Sequence, residues 1–66
     1  MKNQVRRYRL IGNHTQTDLA QAIGVSRQTI HAIEAGKYVP STVLALKLAT
    51  LFSCQVSDIF ELEGNE

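Results

Sequence analysis

Residues 26–29 read Ser-Arg-Gln-Thr, and two of these side chains could recognise the edge of a nucleobase. The guanidinium group of Arg27 can donate to both O6 and N7 of guanine, and the amide of Gln28 can pair with N6 and N7 of adenine. A serine before a run of regularly spaced apolar residues is typical of a helix N-cap. We therefore expect Arg27 and Gln28 to project from the first turn of a helix, where they read bases unless they are merely solvated.

Further contacts with nucleic acid are expected around this turn. His31 lies one helical turn beyond Gln28 and could reach a base edge or a phosphate, and Thr29 could contact a thymine methyl group or the backbone. Four residues at helix starts and in the following loop are candidate phosphate ligands: Gln16, Ser26, Lys37 and Tyr38. Gln16 could also brace Gln28, and the Tyr38 ring could instead pack in the core.

Two short helices, the second and third of the chain, are predicted to position these side chains. The second covers residues 16–23 and follows Thr15, an N-cap with Asp18 three residues further on. Gly24 ends it, because a left-handed backbone costs glycine least. The third covers residues 27–35. The inward-facing residues of this pair are expected to be Leu19, Ala20, Ile23, Val25, Ile30 and Ile33.

A first helix is predicted over residues 3–11, ahead of this pair. Its buried stripe should consist of Val5, Tyr8 and either Ile11 or Gly12. Gly12 and Asn13 should end the helix, because both residues tolerate a positive φ.

Two further helices are predicted after a loop at residues 36–40. The fourth is capped by Ser41 and reaches about residue 52, and the fifth is short and covers residues 56–60. Val43 and Leu46 widen the apolar face of the fourth helix beyond what one small core should need.

Length and composition restrict the class of protein. We expect residues 1–66 to form a single small domain with about the last four residues frayed. A lone Cys54 excludes an internal disulfide and is expected to be a core residue rather than a redox switch. Together with His14 and His31 it has no ligand-like spacing, so no metal and no other cofactor is expected.

Other classes of protein are also disfavoured. No apolar run is long enough to span a membrane and no signal segment precedes the domain, so we expect a cytoplasmic protein without a membrane partner. No paired carboxylates, nucleophile–base pair or metal set is visible, so an enzyme is not expected.

Charge is distributed unevenly along the chain. Residues 1–37 contain six basic and two acidic residues, whereas residues 38–66 contain one basic and four acidic residues. A basic first half suits a polyanion such as DNA, and an acidic second half would keep the far side of the domain away from phosphates.

The chain from about residue 5 to residue 60 resembles the Cro/cI-type helix-turn-helix regulators of bacteria and phages, the XRE family, and residues 15–41 are the matching run. The resemblance rests on an alanine and a glycine at fixed offsets, apolar residues on two helical phases, two caps and a Gly–Pro loop. It implies a compact all-α, five-helix, lambda-repressor-like domain with the helix-turn-helix at helices 2 and 3, a symmetric dimer, and the third helix in the major groove. It also implies an ion pair between Arg9 and Glu34, for which the alternative is two independent surface charges.

We accordingly expect a sequence-specific, DNA-binding transcriptional regulator, namely a homodimeric repressor that occupies a palindromic operator and associates with the nucleoid when bound. The residues predicted to contact the second copy follow the third helix: Val43, Leu46, Val56, Phe60 and Leu62. No small-molecule effector is expected, because no ligand-binding domain follows. The alternative function is an antitoxin-like or anti-regulator module that binds a protein and also binds DNA.

Overall fold

The computed structural model describes residues 1–64, in which five helices and two very short strands form. In chain order the elements are β1 (Lys2–Asn3), α1 (Val5–Ile11), α2 (Gln16–Ile23), α3 (Arg27–Glu34), α4 (Thr42–Leu51), α5 (Val56–Ile59) and β2 (Phe60–Glu61). The predicted five-helix architecture is confirmed. Of the segment expected to be frayed, Asn65 and Glu66 lie outside the described residues, and the Glu63 carboxylate lies 3.4 Å from the Met1 ammonium group.

Local hydrogen bonds define α2 and α3 as the sequence predicts. The Thr15 hydroxyl accepts from the Asp18 N–H at 3.0 Å, and the Asp18 carboxylate accepts from the Thr15 N–H at 2.9 Å, which completes a capping box. Gly24 ends α2 with a left-handed φ of 77°. The Ser26 hydroxyl then caps α3 by accepting from the amide of the third helical residue at 3.2 Å.

A single apolar core lies between the helices. Its buried members are Val5, Leu19, Ala20, Ile23, Ile30, Ile33, Leu44, Leu48, Ala49 and Ile59. Five of the six residues predicted to face inward from α2 and α3 are among them, and Val25 packs against the core while half-buried. The Tyr8 ring stacks on Phe52 with 5.5 Å between ring centroids, which joins α1 to the end of α4. This packing holds α3 by one face and leaves its other face exposed.

The end of α1 differs from the expectation. Leu10 and Ile11 are 53% and 69% exposed, so the predicted burial of either Ile11 or Gly12 is wrong. The chain reverses at Asn13, whose φ is 59°, and the last turn of α1 therefore extends past the core. Gly12 itself has a φ of −82°. A Cβ there would lie 2.8 Å from Cδ2 of His14, so a larger residue would require the His14 ring to move.

A two-stranded antiparallel ladder between the ends of the described chain was not predicted. Lys2 pairs with Glu61 and Asn3 pairs with Phe60, so α1 begins at residue 5 and α5 ends at residue 59. The Asn3 side-chain amide also donates to the Ile33 carbonyl at 2.8 Å. The ladder thus joins the two ends of the described chain, and Asn3 links it to the C-terminal end of α3.

Candidate nucleic-acid interface

The first turn and a half of α3 present three uncommitted polar side chains. Arg27, Gln28 and His31 are all exposed, and within residues 1–64 none of their side chains makes a hydrogen bond or an ion pair. Thr29 is different, because its hydroxyl lies 3.0 Å from the Ser26 hydroxyl and the residue is half-buried. Of the four predicted base readers, Thr29 is therefore the one whose polar group already serves the cap.

A buried ion pair lies directly behind this exposed face. The Arg9 guanidinium donates from Nε to Glu34 Oε2 at 2.7 Å and from Nη2 to Glu34 Oε1 at 3.2 Å, and the two side chains are only 11% and 7% exposed. Arg9 also donates from Nη1 to the His14 carbonyl at 3.0 Å. Bidentate geometry fixes direction as well as distance. The pair predicted from the family resemblance is therefore present in the structure and joins α1, the turn before α2, and α3.

Gln16 is the first residue of α2 and joins the same network. Its side-chain amide donates to Glu34 Oε1 at 3.2 Å. Gln16 could also have braced Gln28, but its amide contacts Glu34 instead. Because Gln16 is half-buried and bonded to Glu34, its backbone N–H and the remaining amide proton are the groups still available to a phosphate.

Lys37 and Tyr38 follow α3 in an exposed loop. The Lys37 N–H donates to the Ala32 carbonyl at 2.9 Å, and Gly36 has a left-handed φ of 75°, so the loop is fixed to the end of α3. Tyr38 is 46% exposed, so its ring is not a core residue. Lys37 and Tyr38 are therefore exposed side chains on a loop that is fixed to the end of α3.

Two surface depressions flank the start of α2. The first, which we call the α1–α3 depression, is lined by Arg6, Arg9, Gln16, His31, Glu34 and Ala35. The second is lined by Arg9, Leu10, Asn13, His14, Thr15, Gln16, Thr17 and Arg27. Because both include Arg9 and Gln16, they form one continuous surface beside α3. Arg6 was not predicted to belong to this surface, although its spacing of three residues from Arg9 places both on one face of α1.

Carboxylates near this surface are occupied by structural contacts. Hydrogen bonds from the Thr15 N–H and hydroxyl lower the pKa of Asp18 below its usual value, so this cap residue is ionised at neutral pH.

At the other end of α2, the Lys47 ammonium group of α4 donates to the Ile23 carbonyl at 3.5 Å. No local sequence pattern predicts this second contact, because the two residues are far apart in the chain.

The five residues predicted to contact a second copy are divided by the structure. Val43, Leu46 and Leu62 are 64%, 54% and 69% exposed, whereas Val56 and Phe60 are half-buried against the core. A groove beside α4 and α5 is lined by Met1, Pro40, Thr42, Ala45, Leu46, Val56 and Phe60. The structure therefore brings Leu46, Val56 and Phe60 together, and it does not place Val43 or Leu62 in the same groove.

The described residues offer little for other chemistry. Within them, no group of three or more His, Cys, Asp or Glu side chains could hold a metal ion. Cys54 is half-buried against the core, and this burial, together with the negative charge of Asp58, raises the pKa of its thiol. No helix in residues 1–64 has the length and apolar character needed to cross a membrane.

The sequence and the fold are similar to those of known regulators. The model of the helix-turn-helix family matches residues 5–59. An HTH-type transcriptional regulator of Methanocaldococcus jannaschii is 54% identical over 66 residues, which is the full length of both chains. The HTH-type transcriptional regulator YgzD of Bacillus subtilis is 48% identical over 63 residues, which is 96% of each chain. The crystal structure of the restriction-modification controller protein C.AhdI from Aeromonas hydrophila superimposes with a TM-score of 0.78 at 30% identity, over 86% of each chain.

Proposed function

The chain belongs to the XRE-type helix-turn-helix family of DNA-binding transcriptional regulators, and from this premise we propose that it is a homodimeric repressor that occupies a palindromic operator. The family consists of regulators and not of enzymes. In the proposed mechanism, α3 lies in the major groove of each half-site. Repression follows from occupancy of a promoter, because bound protein excludes other proteins from the same DNA.

The observation that carries this proposal is that the first turn of α3 has exposed polar side chains that make no hydrogen bond or ion pair within the described residues. The Arg27 and Gln28 side chains are exposed and uncommitted, while the opposite face of the helix is held in the core by Ile30 and Ile33. Arginine pairs with guanine and glutamine with adenine in the major groove, and each bidentate pair contributes about 1–3 kcal/mol of discrimination. His31 and the methyl group of Thr29 are proposed as supporting base contacts.

Phosphate contacts would fix the position of α3 in the groove. We assign them to the start of α2 at Gln16, to Ser26, and to the loop that carries Lys37 and Tyr38. Backbone N–H groups at helix starts and side chains of these types are the usual ligands of DNA phosphates. Since Gln16 is bonded to Glu34, the ion-paired network would hold the start of α2 at a constant distance from α3.

A second copy is proposed because one recognition helix reads too few base pairs to select a site among genomic competitors. In a two-fold dimer the half-sites lie about 34 Å apart. We assign the contact to the groove at Leu46, Val56 and Phe60, extended by the exposed Val43 and Leu62.

The alternative function, an antitoxin-like or anti-regulator module, would use the same exposed apolar side chains for a different protein. Val43, Leu46 and Leu62 are more than half exposed and would suit either partner. The two functions differ in the state of the isolated protein, because only the homodimer covers this face without another protein. Sedimentation of the purified chain therefore separates them.

The test of the proposed function is selection of bound duplexes from a random DNA pool, followed by measurement on two kinds of variant. Arg27→Ala and Gln28→Ala should each remove preference at their own base position by about 5- to 150-fold, which corresponds to about 1–3 kcal/mol. Lys37→Ala should weaken binding to all sequences alike and serves as the control. Absence of any enriched palindrome, or unchanged preference in both α3 variants, would refute the proposal.

A further inference from the structure

We propose that the α1–α3 depression binds one phosphate of the DNA backbone and that Arg6 of α1 is its cationic ligand. This inference rests on the proposed function and extends the DNA interface from the helix-turn-helix onto α1. The depression is lined by Arg6, Arg9, Gln16, His31, Glu34 and Ala35. It shares Arg9 and Gln16 with the second depression, which Arg27 also lines.

The charges in the depression leave Arg6 as the available cation. Glu34 accepts at Oε2 from Arg9 and at Oε1 from both Arg9 and Gln16, so both of its oxygens are engaged. The Arg9 charge is in turn neutralised by this carboxylate. Among the described residues Arg6 makes no ion pair, and it is exposed. The depression therefore carries one net positive charge at its rim and no free carboxylate oxygen.

Arg6 lies on the side of α1 that faces α3, and its charge is therefore close to the DNA strand that α3 would contact. Arg6 and Arg9 lie three residues apart on α1 and share a face, and Arg9 is fixed against α3 by its two bonds to Glu34. Ala35, which follows α3, also lines the depression and has only a small side chain. The side chains of His31 and Gln16 add hydrogen-bond donors on the other walls.

A phosphate of DNA suits this depression better than a free anion. One exposed cation with a few neutral donors retains an isolated phosphate poorly, because ion pairs at exposed positions contribute about 0–1 kcal/mol. A phosphate in a polymer is delivered by the other contacts and releases a condensed counterion when Arg6 neutralises it. The site thus adds to DNA affinity without reading sequence.

The experiment compares Arg6→Gln with Arg7→Gln. Both variants remove one exposed positive charge from the same helix, but adjacent residues point about 100° apart and Arg7 does not line the depression. Binding to a fluorescent 20-base-pair duplex of mixed sequence is measured by anisotropy from 50 to 200 mM salt, with circular dichroism as the check of folding. Arg6→Lys is the variant that should restore the charge.

One phosphate contact contributes about 0.9 to the slope of log K against log salt. Arg6→Gln should therefore lower the slope by about 0.9, which amounts to a loss of affinity of about 15-fold at 50 mM and about 4-fold at 200 mM salt. Arg7→Gln should lose less than about 3-fold, and Arg6→Lys should keep the wild-type slope.

Three results would overturn the inference. Equal losses in Arg6→Gln and Arg7→Gln, with the wild-type protein bound to the duplex, would refute the Arg6 site and leave the proposed function intact. Failure of the wild-type protein to bind any duplex would refute both. Saturable binding of inorganic phosphate that Arg6→Gln abolishes would assign the depression to a free anion instead of DNA.

Discussion

Replacement of Arg9 by methionine should remove most of the stability of this domain. The side chain is 11% exposed and donates three hydrogen bonds, two to the 7%-exposed Glu34 carboxylate and one to the His14 carbonyl. Without Arg9 the carboxylate is left buried beside the Gln16 amide alone. Breaking one side of a buried pair costs about 3–5 kcal/mol, whereas a domain of this length has a total stability of about 3–10 kcal/mol.

Removal of both partners should cost much less than the two single changes together. In Arg9→Met combined with Glu34→Leu no uncompensated charge remains buried, and exchange of a buried ion pair for apolar residues of similar volume is often close to neutral. We therefore expect a coupling free energy of about 2–3 kcal/mol between the two positions. The double variant would lose the hydrogen bonds to His14 and Gln16 as well, so some loss of stability should remain.

Urea unfolding followed by circular dichroism at 222 nm measures these differences. The wild-type protein, the two single variants and the double variant are compared at one protein concentration, because dimerisation would make stability depend on concentration. If the single variants do not fold, recovery of helix in the double variant carries the same information. Single losses below about 1 kcal/mol, or losses that add within about 0.5 kcal/mol, would show that the pair does not hold α1 to α3 in the way argued above.

Two further predictions concern surfaces away from α3. Leu46→Glu should shift the sedimentation coefficient toward that of a monomer. Leu10→Glu is the matched control, because Leu10 is 53% exposed and Leu46 is 54% exposed, and it should leave the sedimentation coefficient unchanged. Equal sedimentation coefficients for the two variants would place the interface elsewhere. The raised pKa of the Cys54 thiol lowers its thiolate fraction, so iodoacetamide at pH 8 should modify the folded protein more slowly than the chain in urea. The modification rates are measured by mass spectrometry, and equal rates would contradict this prediction.

The helix-turn-helix could be predicted almost to the residue because its determinants are local. Thr15 and Asp18 form their capping box within one turn, and Gly24 and Ser26 act on their own backbone and the next few amides. The N-terminal limit of α1 was not predictable in this way. It depends on the pairing of Asn3 with the other end of the chain, and two-residue strands have no periodicity that a sequence could show.

The candidate site was predictable in part for the same reason. The exposed positions of Arg27 and Gln28 follow from helical phase, and the Arg9–Glu34 pair came from the family resemblance rather than from the residues themselves. The partner of Gln16 was not predictable, because two acceptors were within reach and only the packed arrangement of α1 against α3 selects Glu34. The roles of these side chains toward DNA remain predictions that the experiments above address.

The pairing of β1 with β2 has a consequence for the order of folding. Contacts between α2 and α3 join residues close in sequence and cost little loop-closure entropy, whereas the ladder closes a loop that spans nearly the whole described chain. We therefore expect the helix-turn-helix to form early and the ladder late. Since Asn3 belongs to this ladder and its side-chain amide donates to the Ile33 carbonyl, we expect the C-terminal end of α3 to gain this hydrogen bond late, when β1 pairs with β2.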